Sequence, residues 1–547
     1  MSKSLLNVIG VFILALVLMN LTTNNPTWKN LKVKAQYYSN TNKPREVEKC
    51  YQELLQNDSG NIEDHYAYIH SHYKIPKRER IGKGNWIYRD DSTIRNYYFA
   101  KSQMHQNPEH DYGYYGLGLC ASLENDYNAA MLCYDSVGNR KLNYLNNSIG
   151  YIYLQENNLQ KAETYFRKEI ANHGNLSGAY TNLIHVLLQE KRFDELNSLI
   201  RDTATNKFFT YNQERSTYFL QGKTFGYFNT IFHRFTGSVN SYGIFGALLI
   251  LLCWLFFLRK IDVYENEKWK YLLLTCGLGM LLTFGTYLIS DFITEYLNFR
   301  LNGNVINDFF YAIFGIGAVE EFVKFLPLLV MLLFTKEVNE PIDYIIFASV
   351  SALGFAFVEN LMYFNENQLF IIHGRALSSV ISHMFDASVI GYGLILCRYK
   401  YHGNIILSFL IAFLIAAFAH GFYDFWLIND YVKDYGVITF IFMIFTFVWY
   451  NIFISNALNN STFFNKKKIL NAEKLKDYLL YSLSSVILLE YLIMSYKYGP
   501  TAGNWTLFKS LYSGAFIIFL LSTRLSNFPV KQGEWRPLFD WITKNND

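Results

Sequence analysis

Nine side chains able to do chemistry lie inside otherwise apolar stretches between residues 309 and 428: Glu320, Glu321, Lys324, Glu359, Asn360, His383, Asp386, His420 and Asp424. Glu320, Glu321 and Lys324 sit near the middle of the run from Phe309 to Phe334, which is otherwise almost wholly Phe, Ile, Leu, Val, Ala, Gly and Met. At a membrane-helix centre each such charge costs roughly 2.5–3.5 kcal/mol, so three together call for a function. Lys324 stands i+4 from Glu320 and i+3 from Glu321, which neutralises one carboxylate and leaves the other without a partner. His383 and Asp386 share a helix face at i,i+3, and His420 and Asp424 share one at i,i+4. A carboxylate so placed can act as general base on water. Imidazoles and an asparagine amide can stabilise an oxyanion, or imidazoles and carboxylates can hold a metal. The chain has no GxSxG elbow, no HExxH, and no membrane cysteine paired in sequence with these histidines. The chemistry implied is hydrolysis by activated water without a covalent intermediate.

These residues need helices that cross a bilayer. Apolar spans of suitable length read at about 242–258, 270–290, 308–334, 343–364, 377–397, 404–428, 435–457, 477–496 and 506–523. Basic residues concentrate in alternate connections: Arg259, Lys260, Lys268 and Lys270, then Lys336, then Arg398 and Lys400. Lys466, Lys467, Lys468, Lys474 and Lys476 follow, and the tail holds Arg524, Lys531, Arg536 and Lys544. The other connections carry only Arg300, Arg375, Lys433, Lys497 and Lys509. Positive charge stays inside, so the basic loops and the C-terminus are expected in the cytoplasm and the segment before residue 238 outside it. At ~1.5 Å per residue, Glu320 and Glu321 lie roughly 18 Å below the outer end of their helix, and Glu359, His383 and His420 roughly 8–12 Å below the outer surface. Water would then enter from the extracytoplasmic side.

Ahead of the spans, residues 1–22 read as a signal anchor or signal peptide. No small-x-small cleavage site follows the run, which favours an anchor. Residues 23–238 are polar, Tyr-rich and helix-patterned. Gly118 precedes Ala130 by twelve residues, Gly150 precedes Ala162 by twelve, and Ile184 and Leu196 keep the spacing in a third unit. The units are offset by 32 and 34 residues, near the roughly 34 of the tetratricopeptide repeat, and usually such an array presents a protein-binding surface; a plain helical spacer is the bland alternative. Weaker helical pattern over 46–55 and 97–104 suggests degenerate units. Cys120 and Cys133 fall on two helices of one hairpin, where a disulfide stays open. None of the six cysteines forms a CxxC pair, and the formal charge of +4 is too small to suggest nucleic acid.

In their order and spacing these residues resemble the PrsW family of intramembrane proteases, which is related to the prenyl-protein endopeptidases. The motifs are Glu320-Glu321-Phe-Val-Lys324, Phe355-Ala-Phe-Val-Glu359-Asn360, His383, and His420-Gly-Phe-Tyr-Asp424, spread over residues 240–457. The resemblance implies cleavage of a membrane-anchored protein, in some members an anti-sigma factor at its extracytoplasmic side, by a glutamic-type or metal-dependent mechanism. It implies catalytic roles for Glu320, Glu321, Lys324, Glu359, Asn360, His383, His420 and Asp424. If a divalent metal such as zinc is used, His383, His420 and Glu321 are the expected ligands. The expected fold is all-α: a polytopic bundle of about nine to ten spans with an N-terminal extracytoplasmic α-solenoid of tetratricopeptide-like repeats. Its parts are residues 1–22, a repeat domain 23–238, a protease core 239–458, and extra spans with a cytoplasmic tail 459–547. Expected partners are the substrate, a protein bound by the repeats, and the lipid of the cytoplasmic membrane. Two other readings are a proton- or ion-coupled transporter, which an inverted repeat of broken helices would favour, and an inactive membrane scaffold.

Overall fold

The computed structural model describes residues 3–57, 61–81, 85–104, 108–364, 368–468 and 470–538, so Lys544 lies outside the described residues. The chain divides into two units, residues 27–234 and residues 1–26 with 235–547.

In the larger unit the apolar runs become helices, because backbone N–H and C=O groups in hydrocarbon must be paired within the segment. Nine helices of the described residues are long and apolar enough to cross a membrane: Lys3–Thr22, Ser241–Ile261, Trp269–Glu295, Pro341–Tyr363, Leu369–Tyr401, Ile405–Ile428, Val437–Asn459, Ala472–Tyr498 and Pro500–Arg524. A further helix runs through 305–334 and carries the Glu320–Lys324 motif. Polar side chains start several of them. Asn240 accepts from the Gly243 N–H, Asn404 from Ile406 and Leu407, and Pro341 and Pro500 open their helices with φ already set.

Two departures from a regular bundle position the polar residues. The 305–334 helix contains a π-helical stretch, Tyr311–Gly317, directly before the motif, and the His383 helix contains another at Arg375–Ser379. π-turns tend to occur at functional sites because they rotate the following side chains. Glycines, in turn, let backbones touch. A Cβ on Gly421 would fall 2.5 Å from the Ile313 Cα, and one on Gly317 would fall 2.5 Å from the Ala417 carbonyl oxygen. The helix bearing His420 is therefore held at backbone contact with the π-stretch beside the glutamates.

The smaller unit is built from antiparallel helical pairs, among them Glu109–Leu123 with Tyr127–Asp135, Leu145–Gln155 with Leu159–Ala171, and Leu176–Gln189 with Phe193–Arg201. The ring of Tyr134 lies against Gly118, that of Phe166 against Gly150, and Ala130 and Ala162 are fully buried. Glu169 is fully buried as well. It accepts from the N–H groups of Tyr144 (2.6 Å), Asn146 (3.1 Å) and Asn175 (2.7 Å), tying successive pairs together. The weak pattern over 46–55 and 97–104 corresponds to helices Pro44–Asn57 and Asp91–Ser102. One element departs from the all-α expectation, an antiparallel pair of short strands, Arg78–Ile81 and Asn85–Tyr88. The charged run Arg-Glu-Arg hides the first strand from an alternation test. All six cysteines are free.

Candidate active site

Lys324 sits at the centre of the site. Its ammonium lies 2.9 Å from Glu321 Oε1, 3.1 Å from Glu320 Oε2, 2.8 Å from His383 Nδ1 and 3.4 Å from His420 Nδ1. Three helices therefore meet on one nitrogen, and the fourth contributes the Phe355 ring, 4.4 Å from it. The Lys324 carbonyl accepts from Ser351 Oγ at 2.6 Å, fixing the motif helix against the Glu359 helix.

Hydrogen-bond partners assign the histidine tautomers. His383 Nδ1 faces an ammonium and so accepts, which leaves its Nε2–H to donate to Glu359 Oε2 at 2.9 Å. Glu359 is in turn held by Arg375 Nη2 at 2.5 Å, and Asn360 Oδ1 accepts from Arg375 Nε at 2.7 Å. His420 donates through Nδ1 to Glu321 Oε1 at 2.8 Å, and its Nε2 faces Glu320 Oε2 (3.5 Å) and Asp424 Oδ2 (3.4 Å). Asp386 Oδ2 accepts from Ser382 Oγ at 3.2 Å and lies 4.0 Å from His420 Nδ1.

All eight candidate residues are thus brought together, but at different depths. Glu321 and Lys324 are sealed, whereas the side chains of Glu320 and Asp424 remain 20% and 25% exposed and form the open edge. Asn360 meets Arg375, not the histidines. Sequence reading assigned no role to Arg375, and placed Asp386 in the polar set on the His383 face without giving it a catalytic role. The span was read as starting at 377, which left Arg375 in a loop; the helix begins at Leu369 and takes Arg375 inside it.

Two groups of donor atoms lie close enough to share a metal ion, which on His383 would replace either the Lys324 ammonium at Nδ1 or the Glu359 carboxylate at Nε2. Glu320, His383 and His420 each offer an atom within 4.8 Å of the others, as do Glu321, Asp386 and His420. Sequence reading grouped the two histidines with Glu321; in the fold Glu320 is the carboxylate that joins both. Glu321 Oε2 and Asp386 Oδ1 are buried without a hydrogen-bond partner, as an unmet cation demand would leave them. The first group has the two-histidine, one-carboxylate composition of zinc hydrolases, with the Lys324 ammonium in the same shell.

Comparison with known proteins agrees with this geometry. Residues 267–450 match the family model described as PrsW family intramembrane metalloprotease. The chain is similar to the protein called Protease PrsW of Clostridioides difficile (strain 630), at 31% identity over 193 residues, which is 34% of this chain and 79% of that protein. It is also similar to the proteins of that name from Geobacillus kaustophilus (29% identity, 30% of this chain, 71% of the relative) and Bacillus subtilis (26%, 30% and 72%). No solved structure matches. The chain belongs to the PrsW family of intramembrane proteases, and is therefore a peptidase embedded in the membrane.

Proposed function

We propose that the chain hydrolyses a peptide bond of a membrane-anchored protein near its extracytoplasmic side, using water activated by Glu320, as a step in regulatory proteolysis of the anti-sigma type. The convergence of Glu320, Glu321, His383 and His420 on the Lys324 ammonium within 3.4 Å is the observation that carries this reading.

Glu320 is the base because it alone of the paired glutamates combines a cationic partner with an open edge. Glu321 is sealed and shared between Lys324 and His420, so it positions both. The Lys324 ammonium lies 3.1 Å from Glu320 Oε2 and orients this carboxylate toward the open edge, where it would take the proton of water. His420 Nε2 faces the open carboxylates, where as imidazolium it can donate to the developing oxyanion or the leaving amine. Glu359 orients His383, Arg375 and Asn360 hold Glu359, and Asp424 orients His420. In a metal-dependent alternative to this arrangement, a divalent ion such as zinc would be held by Glu320, His383 and His420, which would then serve as ligands in place of the roles above, and would supply Lewis-acid polarisation of the scissile carbonyl.

The basic loops support a cytoplasmic C-terminus and an extracytoplasmic segment 23–238. Its paired helices support a tetratricopeptide-like array that recruits substrate. The protease core expected over 239–458 and the added spans over 459–547 complete the arrangement in the cytoplasmic membrane.

The test compares protein N-termini in cells carrying the natural chain or its Glu320→Ala/Glu321→Ala variant. New termini within or just outside a membrane span, present only with the natural chain, are expected and would identify the substrate. If no terminus depends on the glutamates while the variant is stably inserted, the scaffold reading takes over.

A further inference from the structure

Away from the motif residues, the larger unit has a cavity of about 520 Å³ at the helix ends where the basic connections gather. Its walls come from three stretches: the connection after Ser241–Ile261, the connection between Val437–Asn459 and Ala472–Tyr498, and the tail after Pro500–Arg524. Each stretch starts where a helix long enough to cross a membrane stops, so the cavity lies at the level of the bilayer surface.

Two kinds of side chain line it. Val263, Phe464, Leu470 and Val530 give it apolar walls, and the Phe464 ring stands 5.3 Å from that of Tyr264. Lys466, Lys468 and Lys531 supply charge, and no carboxylate lines the cavity among the described residues. Of these three lysines, Lys531 alone has a carboxylate within ion-pair distance among the described residues, Glu534 at 3.2 Å. Lys468 donates to the Tyr264 carbonyl, which holds its ammonium across the gap between two connections and leaves two N–H donors for something else.

The walls are held in place without a ligand. Asn465 shapes the lysine run: its side chain accepts from the Lys467 N–H at 2.9 Å and its carbonyl from the Lys468 N–H at 3.0 Å. The tail is tied to the end of the Val437–Asn459 helix. Asn459 accepts from the Lys531 N–H through Oδ1 at 2.7 Å and from the Gly533 N–H through its carbonyl at 2.8 Å. Asn456 Oδ1 accepts from the Arg536 N–H at 2.7 Å. A preformed cationic cavity with apolar walls, at the bilayer surface, fits an anion that carries hydrocarbon with it. A free inorganic anion would meet the lysines and leave the apolar walls in water.

We propose that this cavity binds the phosphate headgroup of an anionic phospholipid, separate from the proteolytic centre. Basic pockets between membrane helices hold acidic headgroups in this way. Lys466 and Lys468 meet the phosphate, while Val263, Leu470 and Val530 cover the glycerol and the first methylenes. The lipid then ties the first of these connections to the last, which lie far apart in sequence.

The full chain, purified in detergent, is titrated with phosphatidylglycerol or with phosphatidylcholine, and the affinity of the first lipid bound is read by native mass spectrometry. Phosphatidylglycerol should bind more tightly, by about fivefold for each lysine that meets the phosphate. Lys466→Gln/Lys468→Gln should therefore weaken phosphatidylglycerol binding about 25-fold and leave phosphatidylcholine binding as it was. Lys270→Gln/Lys336→Gln, which removes as much charge from other basic connections, should bind as the natural chain does. All four lysines are exposed, so both variants should fold. Equal affinity of the natural chain for the two lipids would overturn the site. So would an equal loss in the two variants, which would mean diffuse surface charge only. Inorganic phosphate that binds as tightly as phosphatidylglycerol would show that the apolar walls contribute nothing, and would also overturn the proposal. No cleavage is measured, so the outcome is independent of the proteolytic reading.

Discussion

The membrane unit contains two buried carboxylate clusters built on opposite principles. Around Lys324, negative groups are gathered on fixed cations: the ammonium touches two glutamates and two histidines, and Arg375 holds Glu359. Asp262, Glu267, Glu340 and Asp343, buried around the start of the Pro341–Tyr363 helix, have one guanidinium among them, Arg259 beside Asp262, and each leaves an oxygen unmatched. A low-dielectric interior tolerates charge only when it is compensated. The first cluster carries its compensation in covalently attached side chains, so its geometry is permanent and suits chemistry. The second largely lacks it, and burial instead raises the proton affinity of its carboxyls. The same carboxylate-to-amide substitution should consequently do opposite things in the two places.

The widest separation is expected in activity. Glu320→Gln should lower cleavage by about 10²- to 10⁴-fold, measured as product termini from a reconstituted substrate, because the base is gone while size and hydrogen bonding survive. Glu267→Gln, a change of the same kind in the other cluster, should leave cleavage near the natural rate at temperatures where both proteins are folded. Next comes stability. Lys324→Met strands Glu321 in the interior and should destabilise the unit by about 3–5 kcal/mol, seen as a lower unfolding temperature in detergent. Asp343→Asn removes one uncompensated charge and should leave the protein as stable as before, or more so. Equal losses from both would abolish the distinction between the clusters.

How much of this is legible without coordinates differs between the clusters for a physical reason. Charged residues inside apolar runs announce themselves, because lipid makes them costly; Glu320, Glu321, Lys324, Glu359, His383, His420 and Asp424 stand out this way, and the helices follow from the same hydropathy. Which glutamate joins both histidines does not follow from spacing, since Glu320 and Glu321 are neighbours; the π-stretch at Tyr311–Gly317, which no periodicity reveals, precedes them and helps set their direction. Arg375 was hidden because its span was read as starting at 377, whereas the helix begins at Leu369. The Asp262–Asp343 cluster was invisible because its residues lie in connections, where Asp and Glu are ordinary, and only the fold buries them. In the smaller unit, Gly118 and Gly150 could be read as close-approach positions, while Glu169 looked like a surface charge and proves to be a buried hub.

Acidity provides a further contrast. Burial first of all pushes Asp262 up to about 6 and Glu340 up to about 7, and it raises Glu267 as well, with Asp262 adding to the effect. In the unfolded chain these groups titrate near 4. A carboxyl raised in the fold holds its proton longer there than in the unfolded chain, so it carries no penalty below about pH 4 and drains stability as pH climbs to its folded value. The unfolding temperature should fall between about pH 4 and pH 7. Unfolding temperatures that are flat over this range would remove the contrast.

The smallest effect isolates a single donor in each cluster. Ser382 donates to Asp386 at 3.2 Å beside His420, and Ser461 donates to Glu340, which has no cation within ion-pair distance among the described residues. Removing a donor from a buried acceptor costs about 1–3 kcal/mol when nothing replaces it. In Ser382→Ala the carboxylate keeps the imidazole 4.0 Å away, so the cost should sit at the low end. In Ser461→Ala the carboxyl loses its side-chain donor with no cation within ion-pair distance among the described residues, so the cost should be larger. Unfolding temperatures of the two serine variants read this directly: equal losses would mean that compensation in the two clusters does not differ in kind.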